Sequence, residues 1–340
     1  MRSTRVLGPG KVAIEEVARP EPKHGEVVVA VGACGICGTD LHWYHGELML
    51  PQACPGHEIA GTVAMAGPGV ASLKEGDRVT VEGFASCGVC RYCLAGDYHY
   101  CTALRMLGIN MAGGFADYLA MPARHCFAVG AMDLTTASLG EPLGVAVHGA
   151  RISGLRIGHR VLVLGAGTIG LMAVVAARAG GAGEVLVTAR RPQQKAAAKA
   201  LGADRVFDDS DEAGLYAAAA ESPIDVVLET VGGAANTLDV AVRASRPGGT
   251  ICLLGLYTKP VAFPSIIAIA RELTIKGSLV YNRSGSRADF DVAVDLLQRH
   301  GAQLAETMIT HRFPLDRLGE ALETASDKQC GSIKVTITER

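Results

Sequence analysis

Short stretches in which apolar and polar residues alternate dominate the chain from residue 12 to about residue 127. Runs of β-branched residues at 27–31, 59–63 and 78–81 are separated by glycine and proline. Successive side chains of a strand point to opposite faces of the sheet, so this alternation is typical of half-buried strands. The first part of the chain is therefore predicted to be an all-β region of many short strands.

The pattern changes at about residue 160. Continuous apolar runs at 161–164, 185–188, 226–229, 250–254 and 273–278 now alternate with alanine-rich segments of helical character. Strands that are apolar on both faces and separated by helices indicate a parallel sheet covered on both sides. Further on, 290–300 has helical spacing, and 333–338 predicts a last strand that returns to the first domain. The fold class is predicted to be α/β.

Length and charge narrow the possible functions. A chain of 340 residues is expected to form two domains. Its formal net charge of -2 comes from 32 basic and 34 acidic residues mixed along the sequence, which argues against nucleic-acid binding or an anionic membrane surface. The uncharged stretch 161–177 is too short for a membrane span. With no signal-like apolar run at its start, we expect a cytoplasmic protein that binds a small molecule.

Four cysteines within fifteen positions predict a metal site. Cys87, Cys90, Cys93 and Cys101 are separated by gaps of two, two and seven residues. This spacing suits four thiolates around one tetrahedral zinc ion. Disulfides are the alternative, but an intracellular chain keeps its thiols reduced. An all-sulfur zinc site has no open position for substrate, so it is expected to be structural. Five of the remaining six cysteines are expected to be small buried side chains: Cys34, Cys54, Cys126, Cys252 and Cys330.

A glycine pattern after the first apolar run of the second region predicts a dinucleotide-binding turn. In such a turn the first glycine permits the tight bend, the second lets the pyrophosphate approach the backbone, and the third lets the helix pack on the strand. The amides at the start of the following helix then face the phosphates. The candidate cofactor-binding residues of this turn are Gly165, Gly167, Thr168, Ile169 and Gly170.

The residues that follow the next strand favour NADP. An NAD-binding chain would carry an acidic residue about 20 positions downstream of the turn, but this chain has Ala189, followed by Arg190 and Arg191. The missing carboxylate makes room for a 2'-phosphate, and two guanidinium groups can bind it. The alternative is that both arginines are solvated and NAD is also accepted.

Candidates for an open metal site lie in the first region. Such a site needs three protein ligands and one free position, and Cys37, His57, Glu58 and Glu141 offer suitable atoms. Taken singly, each also has a purely structural interpretation: a small core residue for Cys37, a buried imidazole for His57 and a helix-start carboxylate for Glu141.

Together these motifs resemble the zinc-containing medium-chain alcohol dehydrogenase family, and in particular its sorbitol (polyol) dehydrogenase branch. The resemblance covers essentially the whole chain. It rests on segments 37–40, 56–58, 76–79, 113–116 and 141–143, on the cysteine quartet and on the dinucleotide turn. It implies a β-rich, GroES-like catalytic domain at 1–152, completed by 286–340, and a doubly wound Rossmann domain at 153–285.

The resemblance also implies roles for the site residues. Cys37 and His57 would be ligands of a catalytic zinc, with Glu58 and Glu141 supplying the remaining oxygen contacts, so that each chain would hold two Zn²⁺ ions. Which carboxylate binds the metal directly stays open. Thr39 and His42 occupy the proton-relay positions of the family. Asp40 is expected to orient His57. The family usually forms homodimers or homotetramers.

The expected function is hydride transfer between NADP(H) and a secondary alcohol or ketone of a polyol, sugar alcohol or cyclitol. L-threonine 3-dehydrogenase or 2,3-butanediol-type vicinal-diol dehydrogenase activity is the enzymatic alternative. A zinc-stabilised binding protein without turnover is the alternative from a different class.

Overall fold

The computed structural model describes residues 1–339 and divides them into two compact units. Within the described residues, unit 1 comprises Met1–Glu141 and 282–339, and unit 2 comprises Pro142–Tyr281. The family resemblance implies that the domains change at 152–153 and 285–286. The first change of unit falls inside a helix, Gly140–Ile152.

The strands, in chain order, have the following bounds: β1 Arg2–Gly8, β2 Lys11–Glu16, β3 Glu26–Gly35, β4 Glu58–Ala66, β5 Arg78–Val81, β6 Phe84–Ala85, β7 Arg105–Met106, β8 Tyr118–Pro122, β9 Cys126–Ala128, β10 Arg160–Leu164, β11 Glu184–Ala189, β12 Arg205–Asp208, β13 Ile224–Glu229, β14 Ser245–Leu253, β15 Thr274–Gly277, β16 Arg283–Ser284, β17 Arg287–Ala288, β18 Ile309–Phe313 and β19 Lys334–Thr338. The α-helices are α1 Gly38–Tyr44, α2 Arg91–Ala95, α3 Leu134–Ala137, α4 Gly140–Ile152, α5 Thr168–Ala179, α6 Pro192–Ala200, α7 Glu212–Glu221, α8 Thr237–Ala244, α9 Ser265–Ala270, α10 Asp289–Met308 and α11 Leu318–Ser326. Short 3₁₀ turns lie at Tyr98–Tyr100, Ala123–His125, Leu315–Arg317 and Lys328–Cys330.

Unit 1 is built on a seven-stranded sheet. Its order is β18-β19-β3-β4-β5-β9, with β8 also paired to β3. The last strand, β19, runs antiparallel to β3, with Ile337 opposite Cys34. The C-terminus therefore returns to the β-rich unit as predicted. The core beneath the sheet consists of buried aliphatic side chains, among them Val27, Val29, Ile59, Val79 and Val335.

Unit 2 is a six-stranded parallel sheet in the order β12-β11-β10-β13-β14-β15. Its strands β10 and β13 are adjacent, with Val163 level with Leu228. From this pair the chain order runs outward in both directions, which is the doubly wound arrangement. The α/β fold class with a β-rich part and a parallel-sheet part is confirmed.

Three local expectations need correction. The region predicted as all β also contains helices α1 and α2. Strand β12 has no counterpart in the sequence analysis, because its four residues are only half-buried and show no apolar run. Among the cysteines expected to be buried, Cys330 is exposed.

Within residues 1–339, the structure contains no helix that combines the length and the apolar character needed to cross a membrane.

Candidate active site and metal centres

Helix α1 presents the first candidate ligand. Cys37 precedes it in an extended conformation, with φ -91° and ψ 160°, and its backbone N–H donates to Asp40 Oδ2 at 2.8 Å. An acidic residue in the first turn accepts from the otherwise unpaired amide at the helix start. Asp40 is 3% exposed, and burial raises the pKa of its carboxyl. Asp40 was expected to orient His57, but its Oδ2 holds Cys37, and in the described chain its Oδ1 has no hydrogen-bond partner.

A tight turn brings His57 to the same place. Gly56 has φ +92°, and a Cβ there would lie 2.9 Å from Cys34 Sγ, so only glycine fits before the histidine. The Cys37 sulfur lies close enough to the His57 imidazole to stabilise its charged form. Burial acts to lower the pKa of the imidazole, but the Cys37 sulfur, Asp40 and Glu141 together raise it well above its ordinary value. The sulfur and imidazole donors therefore face each other in an acidic environment.

Glu141 contributes a second anionic group from the start of α4. It is 5% exposed, and burial raises its pKa to about 7, whereas the nearby His57 acts in the opposite direction. A carboxyl group without a cation is costly to bury in its charged form. A carboxylate at this position is thus suited to a positively charged partner.

Glu58 has such a partner, which the sequence analysis missed. Lys334, on β19, donates to both carboxylate oxygens of Glu58, at 2.7 and 2.6 Å, and to the carbonyl oxygen of Ile36 at 2.8 Å. The Lys334 and Glu58 side chains are each 2% exposed. A Cβ on Gly35 would collide with Glu58 Oε2, which explains the glycine at the end of β3. A lysine within an otherwise uncharged strand was the available signal.

The donor set fits a divalent cation. Sulfur, imidazole nitrogen and carboxylate oxygen are the atoms that zinc prefers. The carboxylates of Asp40 and Glu141 add negative charge near His57, which favours a cation there. The candidate atoms do not all gather to within 4.8 Å of one another; over residues 1–339, the cysteine quartet alone meets that condition. These residues therefore remain candidate ligands of the catalytic metal.

The proposed relay residues lie on α1. Thr39 and His42 are three positions apart and share a helix face. The Cys37 thiol points to Thr39 Oγ1 at 3.8 Å, and His42 Nδ1 contacts the Glu47 carboxylate. Trp43, only 3% exposed, is a packing residue.

The cysteine quartet is already assembled. The four sulfur atoms of Cys87, Cys90, Cys93 and Cys101 lie within 4.8 Å of one another. Gly88 and Gly96 take positive φ values of 79° and 92°, which allow the bends before and after helix α2. This geometry fits a tetrahedral metal ion with four thiolate ligands.

Backbone amides favour thiolates in this loop. The N–H of Cys87 donates to Cys101 Sγ at 3.2 Å, and the N–H of Cys90 donates to Cys87 Sγ at 3.4 Å. Amides of Cys93 and Thr102 lower the pKa of Cys90 to about 6. A thiolate is the form that binds metal. The loop therefore favours the thiolates of Cys90 and Cys87, whereas burial raises the pKa of Cys93 to about 11.

A chain of buried polar groups braces the same loop against the sheet. The N–H of Ser86 donates to His125 Nε2 at 3.1 Å, and His125 Nδ1 contacts Glu82. The other oxygen of Glu82 accepts from the Tyr98 hydroxyl at 2.6 Å. Ser86 lies directly before Cys87, and Tyr98 lies three residues before Cys101. These hydrogen bonds therefore join both ends of the cysteine loop. Nothing in the spacing of these residues predicted it.

In unit 2 the predicted glycine turn connects β10 to α5. Gly165 has φ +95°, and its N–H donates to Thr188 Oγ1 at 3.0 Å. A Cβ on Gly170 would collide with the Gly165 carbonyl oxygen, whereas Gly167 faces open space. The first and third glycines thus serve packing, and the second leaves room for a ligand. Thr168 and Ile169 form the first turn of α5, whose amides point to that space.

Ala189 and the two arginines lie at the end of β11. Ala189 is 2% exposed and offers no carboxylate. Arg190 has a side chain that is 72% exposed, and its Nε donates to Asp209 at 2.7 Å. The N–H of Arg191 donates to Gln194 Oε1 at 3.2 Å at the start of α6. An exposed ion pair is worth about 0–1 kcal/mol, so a phosphate can compete for Arg190.

Both halves of the chain match known protein families. Residues 23–131 match the family described as alcohol dehydrogenase GroES-like domain. Residues 168–299 match the family described as zinc-binding dehydrogenase.

Individual proteins agree with these matches over nearly the full length. The chain is 33% identical to L-threonine 3-dehydrogenase of Bacillus velezensis, covering 94% of both chains. It is also 33% identical to sorbitol dehydrogenase of Macaca fascicularis, covering 94% of this chain and 91% of the relative. A crystal structure of a zinc-binding dehydrogenase from Sinorhizobium meliloti 1021, bound to NADP, superposes with a TM-score of 0.86 at 32% identity and covers 99% and 98% of the two chains.

Proposed function

The chain belongs to the zinc-containing medium-chain alcohol dehydrogenase family, in its sorbitol dehydrogenase-like branch, and from this premise we propose that it oxidises a secondary alcohol of a polyol, sugar alcohol or cyclitol with NADP. It is an oxidoreductase, as the family predicted from sequence implies. The observation that carries the proposal is that the Cys37 sulfur and the Glu141 carboxylate both lie close enough to His57 to raise the pKa of its imidazole. A carboxylate at this site, in place of a second cysteine, favours polyols over simple alcohols.

Two zinc ions per chain are part of the proposal. Cys87, Cys90, Cys93 and Cys101 would hold the structural ion. Cys37, His57 and Glu141 would hold the catalytic one, since both oxygens of Glu58 are taken by Lys334. Bound there, zinc supplies Lewis-acid stabilisation of negative charge on the substrate oxygen, and the nicotinamide accepts the hydride.

The chain's own residues would manage the proton. The Thr39 hydroxyl would accept the proton of the substrate alcohol and pass one to the His42 imidazole, which lies on the same face of α1. His42 Nδ1 contacts the Glu47 carboxylate, which can accept a hydrogen bond from the imidazole. His42 is partly exposed, so it can release the proton to solvent. Asp40 would keep Cys37 in place through its backbone amide.

A substrate panel tests the proposed function. Sorbitol, xylitol, 2,3-butanediol and L-threonine are each assayed with NADP and with NAD. The highest kcat/KM on sorbitol or xylitol would support the polyol assignment. The highest kcat/KM on L-threonine would favour threonine dehydrogenase activity, an alternative supported by the similarity to the B. velezensis enzyme. The highest kcat/KM on 2,3-butanediol would favour vicinal-diol dehydrogenase activity. No turnover, with one zinc confined to the quartet, would favour a binding protein.

The NADP preference is tested by reversing the charge pattern. We expect the triple variant with Ala189→Asp, Arg190→Ala and Arg191→Ala to weaken NADP binding at least about tenfold, because charge-assisted bonds to a phosphate contribute about 1.5–3 kcal/mol. NAD binding should improve, because the introduced carboxylate could accept from the ribose hydroxyls. Dissociation constants from nicotinamide fluorescence measure both effects. An unchanged ratio of the two constants would refute the assignment.

A homodimer or a homotetramer is the proposed assembly. Strand β15 is an edge of the parallel sheet, and all four of its residues are exposed. Helix α9, which precedes β15 in the chain, exposes Ile266 and Ile269 (83% and 75%), and Leu279, two residues after β15, is 60% exposed. Open edges with apolar neighbours pair readily with another chain.

The assembly is tested at that edge. We expect Ile275→Lys to lower the mass measured by light scattering to that of a smaller species, since a charge at the edge opposes pairing. Ile157→Lys is the matched control, since Ile157 is 90% exposed in the same unit but lies away from β15. Equal masses for both variants would place the interface elsewhere.

We also propose a cytoplasmic location. The cysteine quartet supports it, because reduced thiols persist in that compartment.

A further inference from the structure

Glu229 ends strand β13 at the point where the sheet of unit 2 changes direction. Strands β10 and β13 are neighbours there, and from them the chain order runs outward on both sides. In open parallel sheets, ligands bind beyond the carboxyl ends of the strands at this switch point. The end of β10 carries the glycine turn, and the end of β13 carries Glu229.

The Glu229 side chain is fully buried and holds the turn that follows it. Its Oε1 accepts from the backbone N–H of Val231 at 2.8 Å and of Gly232 at 3.1 Å. The same oxygen accepts from the Thr237 hydroxyl at 2.8 Å, at the start of α8. Three donors on one oxygen define the conformation of a turn in which Gly232 and Gly233 both have positive φ, 61° and 65°.

Glu229 also joins the ends of two strands. Its carbonyl oxygen accepts from the N–H groups of Leu254 at 2.8 Å and Gly255 at 3.0 Å, just beyond β14. In return, the N–H of Gly233 donates to the carbonyl oxygen of Leu256 at 2.8 Å. The segments after β13 and β14 thus form one hydrogen-bonded platform centred on Glu229.

This platform lies directly against the dinucleotide turn. The hydroxyl of Thr230 donates to the carbonyl oxygen of Leu164 at 2.8 Å. A Cβ on Gly165 would lie 2.5 Å from Val231 Cγ2. Any movement of the 230–233 turn would therefore alter the wall of the crevice at the first glycine.

The other carboxylate oxygen of Glu229, Oε2, is in an environment that lowers the stability of the fold. Glu229 Oε2 is buried without a hydrogen-bond partner in the described part of the chain. It would lie 2.6 Å from a Cβ on Gly255. A buried polar atom without a partner costs about 1–3 kcal/mol. Local costs of this kind concentrate where a site needs a defined shape.

We propose that Glu229 is a positioning residue for the nicotinamide cofactor. Its carboxylate holds the amides of Val231 and Gly232 away from the crevice and keeps the 230–233 turn as a rigid wall beside Gly165. It acts through this turn and does not need to touch the cofactor. The inference rests on the cofactor use within the proposed function and is independent of the alcohol substrate.

The test is cofactor affinity in the full-length, zinc-loaded protein without substrate. Dissociation constants of NADPH and NADH are measured by fluorescence for Glu229→Ala, Glu229→Gln and the wild type. We expect Glu229→Ala to bind the preferred cofactor at least tenfold more weakly. Glu229→Gln keeps an acceptor at Oε1 and should stay within about threefold of wild type. Glu221→Gln, at an exposed glutamate ending α7, is the matched control and should change nothing.

The outcomes separate positioning from a structural role. A structural role alone would lower the melting temperature of Glu229→Ala and leave the dissociation constant of its folded form unchanged, which would overturn the proposal. Equal weakening by Glu229→Gln and Glu229→Ala would also overturn it, because the acceptor geometry would then be irrelevant.

A milder variant covers the case in which Glu229→Ala does not fold. Thr237→Val removes one of the three donors to Oε1 and is expected to weaken cofactor binding about threefold; wild-type affinity in that folded variant would overturn the proposal. If the wild type binds neither NADPH nor NADH, the proposed function itself fails. If the wild type binds the cofactor and Glu229→Ala binds it equally well, the role of Glu229 is refuted and the proposed function stands.

Discussion

Replacing Cys37 with serine is expected to abolish turnover and leave the fold intact. Cys37 lies at the surface of its unit's core, and its sulfur faces His57 and not the apolar cluster. A serine hydroxyl is a poor zinc ligand in place of a thiolate. Replacing a residue that only hydrogen bonds to a metal ligand already lowers metal affinity or enzyme activity about 10–100-fold. Because Cys37 would be a ligand itself, we expect kcat/KM to fall at least about a hundredfold. Steady-state kinetics, zinc content and thermal melting measure the effect.

The matched variant is Cys90→Ser in the quartet. Here the expected loss is stability, because the metal would hold the loop between Cys87 and Cys101 and perform no chemistry. A loss of at least about 2 kcal/mol would lower the melting temperature by roughly 5 °C. One zinc should be missing from each variant. Equal loss of folding in both would contradict the division into a catalytic and a structural site.

The second large effect is expected at Lys334. Lys334→Met keeps the length of the side chain but leaves the Glu58 carboxylate buried without its cation. Burial acts to lower the pKa of Lys334, whereas Glu58 and Cys37 raise it above its usual range, so the lysine is charged in the folded protein. Removing one partner of a buried pair costs about 3–5 kcal/mol. Urea unfolding should show this loss in the free energy of unfolding.

Lys74→Met is the control for this variant. Lys74 is exposed in a loop of the same unit, and its replacement should change the free energy of unfolding by less than about 0.5 kcal/mol. A loss below about 1 kcal/mol for Lys334→Met would show that Glu58 finds another partner, the metal included. In that case Glu58 would become a candidate for direct metal contact.

Much of the fold could be predicted because its signals are local. The apolar runs of β10, β11 and β13 are continuous, since these strands are buried on both faces. Strand β12, whose residues are half-buried, lacks that signal and went undetected. Helix α1 was missed because it has only seven residues, too few to show a period.

The metal-binding and cofactor motifs were predictable for the same reason. The cysteine quartet lies within one short loop, and the glycine turn lies within one strand-to-helix connection. Their chemistry depends on neighbours in sequence. The ligands of the catalytic site are spread over distant segments, and only the resemblance to a family joined Cys37, His57 and Glu141 before the structure was known.

Sequence alone thus determined the α/β class, the quartet, the glycine turn and the absence of a carboxylate after β11. Tertiary structure decided the partners of buried charges: Lys334 is 276 positions from Glu58, and His125 is 43 positions from Glu82. The physical reason is that a buried charge must be paired across the fold, wherever chain topology brings an opposite group. Spacing along the chain carries no record of that pairing.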